Sequence, residues 1–447
     1  MFCKACVFST RRRSVPGLWS FGGLGKRGRY GVPAMRSRSE RTPKFRKEHW
    51  CSISFLLNYQ VFIIVAHKYF NFPALDQIKT MNILLLEPYL TGSHADWARG
   101  FQQNSRHKVD ILSLKGQFWK WRMHGGAVTL ARRFPASDVH PDVILATDML
   151  DVTTFLALTR CKTAGIPVVL YMHENQLAYP WSPDDRDIAY KRDHHYGFIN
   201  YVSALAADRV WFNSAYNRDS FLNALPNFLK HFPDHQDIGN VDRIKNKSEV
   251  RPLGLSLKRF DAYQTPRPDG PPIILWNHRW EYDKNPADFF RALFQLADEG
   301  LAFRLIVCGE NFRQAPQEFE QAKSQLGDRL LHFSHADSFA DYARLLWQSD
   351  IVPVTSNHDF FGAALAEAVY CGCTPLVPKR LAYPELLAGA DEDIFYTGYQ
   401  DLVARLRHLI QTGAKPDCSH LVDRFDWSNV ISDYDNALEH LAQKHSD

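Results

Sequence analysis

DIVPVTSNHDFFGAALAEAVYCGCTPLVP, residues 350–378, reads as a strand, a loop, a helix and a second strand. The two apolar runs, DIVPVT (350–355) and TPLVP (374–378), are continuous rather than alternating. Continuous apolar character marks strands buried on both faces, as in a parallel sheet covered by helices. Between them the text turns to small residues, and a helix is expected to start at Gly362 or Ala363. CGCTP closes that helix and feeds the next strand, with Cys371 and Cys373 read as packing residues.

The same unit recurs along the chain. Five strands are expected at 82–87, 108–114, 142–147, 167–172 and 209–213. Five more are expected at 272–277, 303–309, 329–334, 350–355 and 374–378. Helical patterns separate them, for example 151–165, 286–300 and 338–348. The first ends at Gly165; the second begins at Pro286 and ends at Gly300, the usual asymmetry of helix boundaries. A Pro-, Gly- and charge-rich stretch, 237–272, divides the units into two blocks. The expected fold is α/β, with two doubly wound Rossmann-like domains facing a cleft at the carboxyl ends of both sheets.

Composition sets the context. The net charge of +4 hides an asymmetry: residues 1–80 carry 15 Lys and Arg against 3 acids, and residues 81–447 carry 38 against 46. The leader has stretches such as STRRRS and RSRSERTPKFRK, and its apolar run 52–67 is broken by Asn58 and Gln60. It is too short for a membrane span. An RNA-binding arm or an organelle-targeting peptide are readings of such a leader. The favoured expectation is that Met81 is the physiological start and 1–80 is a disordered or non-native extension. The eight cysteines form no paired framework, and CKAC (3–6) lacks a second pair for zinc. The body is therefore expected to be cytoplasmic and free of disulfides.

Polar residues gather just after the expected strands. Gly92 and Ser93 open a strand-to-helix turn with His94, where backbone N–H groups approach an anion, or where Ser93 is an ordinary N-cap. His173, Glu174, Asn175 and Gln176 crowd the end of the fourth strand, followed by Tyr179 and Trp181. Such density suits sugar hydroxyls with an aromatic platform; the plainer reading is an Asn-initiated turn. His194 and His195 are adjacent and point apart on a helix, so a metal pair is not expected. Tyr190, His194 and Asn200 are open to facing the cleft, and Ser214 reads as an N-cap. Arg279 and Lys284 follow the first strand of the second block, placed to neutralise a diphosphate leaving group or simply to be solvated. Gly362 offers a phosphate site at a helix start, Glu367 lies about one turn in where it can accept both hydroxyls of a ribose, and Asp359 precedes the helix. Taken singly, Asp359 is a capping residue and Glu367 a surface residue.

Together these residues resemble retaining glycosyltransferases of the two-domain GT-B architecture, with Asp359 where the first acid of an acid–x7–Glu motif is more often Glu. LTGSHADW, YMHENQLAYP, FNSAYNRDSFL, NHRWEYDKNP and DFFGAALAEAVYCGCTPLVPKRLAYPE, taken in order, resemble the tRNA-queuosine α-mannosyltransferase family over about residues 81–390. The resemblance implies transfer of mannose from GDP-mannose to the cyclopentenediol of queuosine in the anticodon of tRNA-Asp. It implies an acceptor-side domain at 81–255 and a nucleotide-sugar domain at 256–447. Gly92, Ser93, Gly362 and Glu367 would bind the donor, and Glu174, Asn175 and Gln176 the acceptor. Arg279, Lys284, His173 and Asp359 would carry the chemistry, with no metal or other cofactor. The acidic body needs local basic patches for RNA, and 120–134 is one: Lys120, Arg122, Arg132 and Arg133 alternate with Trp121 and His124. An amphipathic segment with a solvated face is the even alternative. Two rivals stand beside this reading: a GT-B enzyme acting on a lipid or polysaccharide, and a non-catalytic GT-B binding module.

Overall fold

The computed structural model describes residues 80–134, 139–181, 194–309, 316–413 and 416–446. The basic leader, its CKAC pair and Tyr190 lie outside them. The first sheet comprises β1 (Asn82–Leu90), β2 (Lys108–Lys115), β3 (Val143–Thr147), β4 (Val168–Met172), β5 (Arg209–Phe212) and β6 (Ser248–Val250). The second comprises β7 (Ile273–Trp276), β8 (Arg304–Cys308), β9 (Leu330–Ser334), β10 (Ile351–Pro353), β11 (Thr374–Pro378) and β12 (Phe395–Tyr396). All pairings within them are parallel.

The strand orders are β2-β1-β3-β4-β5-β6 and β12-β11-β10-β7-β8-β9. Each has a point where the winding reverses: between β1 and β3 in the first sheet, and between β7 and β10 in the second. In open α/β sheets, ligands bind outside the carboxyl ends of the strands at such points. The ten expected strands are present. β6 and β12 were not expected, since three and two residues leave too little pattern to read.

Burial explains why these runs became strands. Every residue of β3 and β4 is buried. Val143, Leu145, Val169 and Tyr171 point into one cluster, while Ile144, Ala146, Val168, Leu170 and Met172 point into another on the opposite face. The first cluster continues through Ile273 and Leu275 of β7, so one core runs through both halves. Each large aliphatic or aromatic side chain so buried contributes roughly 1.5–3 kcal/mol.

The last helix, Trp427–Ser446, packs against the helix Gly92–Asn104 of the first half. Tyr434 Oη lies 2.8 Å from Tyr171 Oη and donates to Pro252 O at 2.7 Å. The Trp427 indole fills space that only glycine leaves open: a Cβ on Gly100 or Gly254 would come within 2.4 Å of it. Arg106 and Glu439 pair at 2.7 Å over the same contact. The chain thus returns to its first sheet after completing the second.

Candidate active site

The first wall of the cleft is built where β1, β3 and β4 end. Glu87, three residues before the end of β1, is fully buried and meets His94 Nδ1 at 3.0 Å. Burial alone would discharge the imidazole, but Glu87 outweighs it and holds His94 up at about 9. Asp148 follows β3 and accepts the His173 N–H at 2.8 Å. Burial first, then the nearby Glu174, raises the Asp148 carboxyl well above the usual carboxylate range. His173 sits 4.6 Å, ring to ring, from both His94 and Trp97. Burial and His94 push it far down, so it is a neutral imidazole. The His173 Nε2 and Asp148 Oδ2 atoms are buried without a hydrogen-bond partner from the protein.

The second wall is built where β7 and β10 end. Lys284 Nζ lies 3.2 Å from Asp283, 3.8 Å from Asp359 and donates to His358 O at 3.0 Å. Burial opposes its charge, but Asp359 and Asp283 prevail and raise its pKa. In return, although burial works the other way, Lys284 and two histidines hold the Asp359 carboxyl low. Arg279 stands at the mouth, 3.1 Å from Glu281, with nearly half its side chain exposed. His278 and His358 are both pushed down to about 4, by burial first and Lys284 second, and each keeps an unpartnered buried Nε2.

Gly362 occupies the N-cap of the helix Ala363–Tyr370 at φ 101°, with no side chain capping its free N–H groups. A side chain at this left-handed position would be strained, and its Cβ would meet Leu386 at 3.1 Å. Glu367 follows one turn in, where it accepts a 2.7 Å hydrogen bond from Tyr342 Oη. Burial outweighs that bond and raises its carboxyl to about 7. Asn277 joins the same cluster, donating to Ala364 O at 2.7 Å while its Oδ1 stays unpartnered.

The walls touch. Tyr179 packs edge-on against His358 at 4.7 Å, and Tyr282 Oη donates to Pro180 O at 2.8 Å. Ser214 Oγ donates to Phe360 O at 2.6 Å. Glu385, from the second half, accepts the N–H of Ala215 at 2.9 Å and so caps the helix Ala215–Leu229 of the first.

The structure sorts the residues expected from the sequence. Arg279, Lys284, Asp359, Gly362 and Glu367 meet on one wall, and His173 and Glu174 lie on the other. Lys284 engages Asp359, so Asp359 is not a cap; Glu367 is not a solvated surface group. Gly92 starts its helix at φ 49° with open space where a Cβ would be. Thr91, not Ser93, holds the N-cap position and makes no capping bond; Ser93 is exposed in the first turn. Asn175 differs from its neighbours. It is fully buried and its amide is spent on Asn217, Ser220 and the N–H of Ala178, which makes it a turn-holder rather than a ligand contact. Gln176 donates to Glu174 at 2.9 Å and orients it. Ser214 is an N-cap, accepting from Asn217 N at 2.9 Å. Asn200 is buried and donates to Asp148 O at 2.9 Å, so it shapes the first wall from behind.

Glu87, Asp148, Asn277, His278 and His358 were missed as site residues. A signal for the last three was present: an Asn-His pair follows a strand twice, at 277–278 and 357–358.

Comparison with known proteins fits this geometry. Residues 82–255 match the tRNA-queuosine alpha-mannosyltransferase N-terminal family, and residues 258–420 match glycosyl transferases group 1. HepE from Anabaena, solved in complex with UDP and glucose, superposes with a TM-score of 0.57 at 16% identity, over 80% of this chain and 100% of that one. Sucrose-phosphate synthase from Thermosynechococcus elongatus gives 0.60 at 12% identity, over 81% and 99%. These likenesses establish the two-domain GT-B fold. The tRNA-queuosine alpha-mannosyltransferase of Drosophila melanogaster is 34% identical over 314 residues, which span 68% of this chain and 81% of that protein. The chain belongs to the tRNA-queuosine alpha-mannosyltransferase family.

Proposed function

We propose that this protein transfers mannose from GDP-mannose to the cyclopentenediol of queuosine in the anticodon of tRNA-Asp, with retention of configuration. The observation that carries this reading is the second wall: an uncapped helix start at Gly362, a buried Lys284–Asp359 pair before it, and Glu367 one turn beyond. The helix start and Gly92 receive the diphosphate, since free N–H groups and the helix dipole favour an anion. Glu367 accepts the ribose hydroxyls. Asp359 and the neutral His173 face the mannose, and the unpartnered His173 Nε2 is suited to one of its hydroxyls.

The bond between mannose C1 and the diphosphate oxygen breaks as the acceptor oxygen bonds to C1 on the same face. The acceptor proton passes to the departing diphosphate. Negative charge develops on that leaving group, where Lys284 and Arg279 stabilise it without reorganising. Glu174, oriented by Gln176 and close to Arg279 in the electrostatics of the site, is placed on the acceptor side.

The test is to incubate the full chain with GDP-mannose and queuosine-containing tRNA, digest the tRNA and weigh the nucleosides. One hexose added to queuosine is expected, dependent on GDP-mannose and absent with UDP-glucose. No increment with either donor overturns the reading. An increment on a lipid or polysaccharide instead would favour a different acceptor.

A further inference from the structure

The segment Lys115–Phe134 stands apart electrostatically. It carries five basic residues and no acid, in a body where residues 81–447 have 38 Lys and Arg against 46 acids. Its helix, Trp119–Arg133, has no acidic residue in the first turn, although the helix dipole favours one there. Three of the large exposed hydrophobics among the described residues also fall in it: Phe118 at 77%, Trp121 at 63% and Val128 at 53%. A charged segment with bare aromatics is unlike a solvated helix face, which has the charges without the rings.

Local geometry presents Phe118 to solvent and seats the Trp121 indole. Phe118 is a non-glycine residue at φ 54°, left-handed backbone that costs of order 1 kcal/mol, and its side chain projects into solvent. Trp121 lies flat on its own helix over Gly125, where a Cβ would meet the indole at 2.5 Å. A glycine inside a helix costs about 1 kcal/mol relative to alanine, and here its effect is to seat an exposed indole. The next glycine, Gly126, has a separate reason: its Cβ position is 3.1 Å from Pro88 at the end of β1. Trp121, Val128 and Arg132 follow one another along the outer face of the helix at about seven- and four-residue spacing, and Arg133 is exposed beside them.

The segment borders the first wall. Lys115 pairs in register with Leu90, two residues before Gly92, and Gly116 sits against Thr91. Trp119 packs 5.0 Å from Tyr196, and both belong with Met149, the residue after Asp148, to one small apolar cluster. Phe118 and Trp121 therefore rise from the rim beside the acceptor wall.

We propose that this rim is the docking surface for the unpaired anticodon loop of the acceptor RNA. Trp121 stacks on a base beside the modified nucleotide, Phe118 brackets it, and Lys115, Arg122, Arg132 and Arg133 follow the phosphates. The occupant is set by complementarity: flat exposed rings for splayed bases, and unbroken positive charge for a polyanion. This proposal rests on the RNA acceptor proposed above.

Binding of a queuosine-containing tRNA, read by fluorescence anisotropy, and transfer to it are measured separately in the full chain. Trp121→Ala is expected to weaken tRNA binding roughly tenfold, in keeping with one lost base stack, while GDP affinity stays unchanged. Gly125→Ala, which displaces the indole, is expected to act in the same direction by less. Arg132→Glu with Arg133→Glu is expected to weaken binding and lower the slope of log affinity against log salt by about 2. Unchanged tRNA affinity in all three overturns the proposal. So does Trp121-dependent binding to anionic phospholipid vesicles with tRNA affinity unaltered. If tRNA binds with these dependences but no mannose is transferred, the proposed activity fails and the surface stands.

Discussion

The two walls of the cleft are made from the same unit, a parallel strand that ends in a polar loop and a helix, yet they balance their buried charges differently. On the second wall, the buried charges beside the uncapped helix start are matched, with Lys284 between Asp283 and Asp359, while Glu367 one turn on is raised by burial. On the first wall they are unmatched. Glu87, Asp148 and Glu174 surround one charged imidazole, His94, and burial raises the Asp148 and Glu174 carboxyls even though Arg279 also acts on Glu174. A matched pair beside a helix start receives a charged ligand with little rearrangement, as the proposed role of the second wall with a diphosphate requires. On the first wall, where acids outnumber cations, the protonation of the buried carboxyls depends on pH near neutrality.

The largest difference should appear when each wall loses a charge. Lys284→Ala is expected to lower kcat for mannose transfer by about a hundredfold or more, the scale of removing one transition-state donor. A parallel melting curve confirms that the variant folds. Loss confined to the donor KM would place Lys284 in ground-state binding instead.

The first wall should reveal itself through stability. The His94 pKa is about 9 in the folded chain against an ordinary 6.5. The stabilisation it gives is fully present below 6.5 and is lost as pH rises through 9, by roughly 1 kcal/mol per unit. Denaturant titrations between pH 6.5 and 9 should show a steeper loss of stability in the native protein than in His94→Gln, which keeps the contribution of the raised Asp148 carboxyl.

Glu367 gives the corresponding test on the second wall. Its carboxyl is raised to about 7, and the ionised form is the better acceptor for ribose hydroxyls. The donor KM should therefore rise as pH falls below about 7. Glu367→Gln should raise it about tenfold, roughly one lost charged hydrogen bond, and remove the pH dependence. The smallest effect concerns the contact that joins the walls. Glu385→Ala strips the helix Ala215–Leu229 of its carboxylate cap and should cost about 1 kcal/mol, read as a lower midpoint in denaturant.

The second wall was the more legible in the sequence, for a physical reason. Arg279, Lys284, Gly362 and Glu367 fall in loops and at a helix start, where residue type alone indicates a charge or a conformational need. The continuous apolar runs likewise revealed both sheets. Glu87 and Asp148 were invisible because each ends an apolar run as an ordinary turn-forming acid would; only folding brings Glu87 to His94 and Asp148 under His173. Asn175 was misleading for the converse reason, since a turn-holding amide and a ligand-binding amide look alike in a string. The return of Trp427–Ser446 to the first half was equally hidden, because amphipathic period shows that a helix has a partner without naming it.

Calorimetric titration of the full chain with GDP tests the division of labour most directly, using Glu367→Ala and His173→Ala beside the native protein. Glu367→Ala should weaken GDP binding by about tenfold, while His173→Ala, proposed to face the sugar, should leave it within about twofold. Equal weakening by both variants would contradict the assignment of the nucleotide to the second wall.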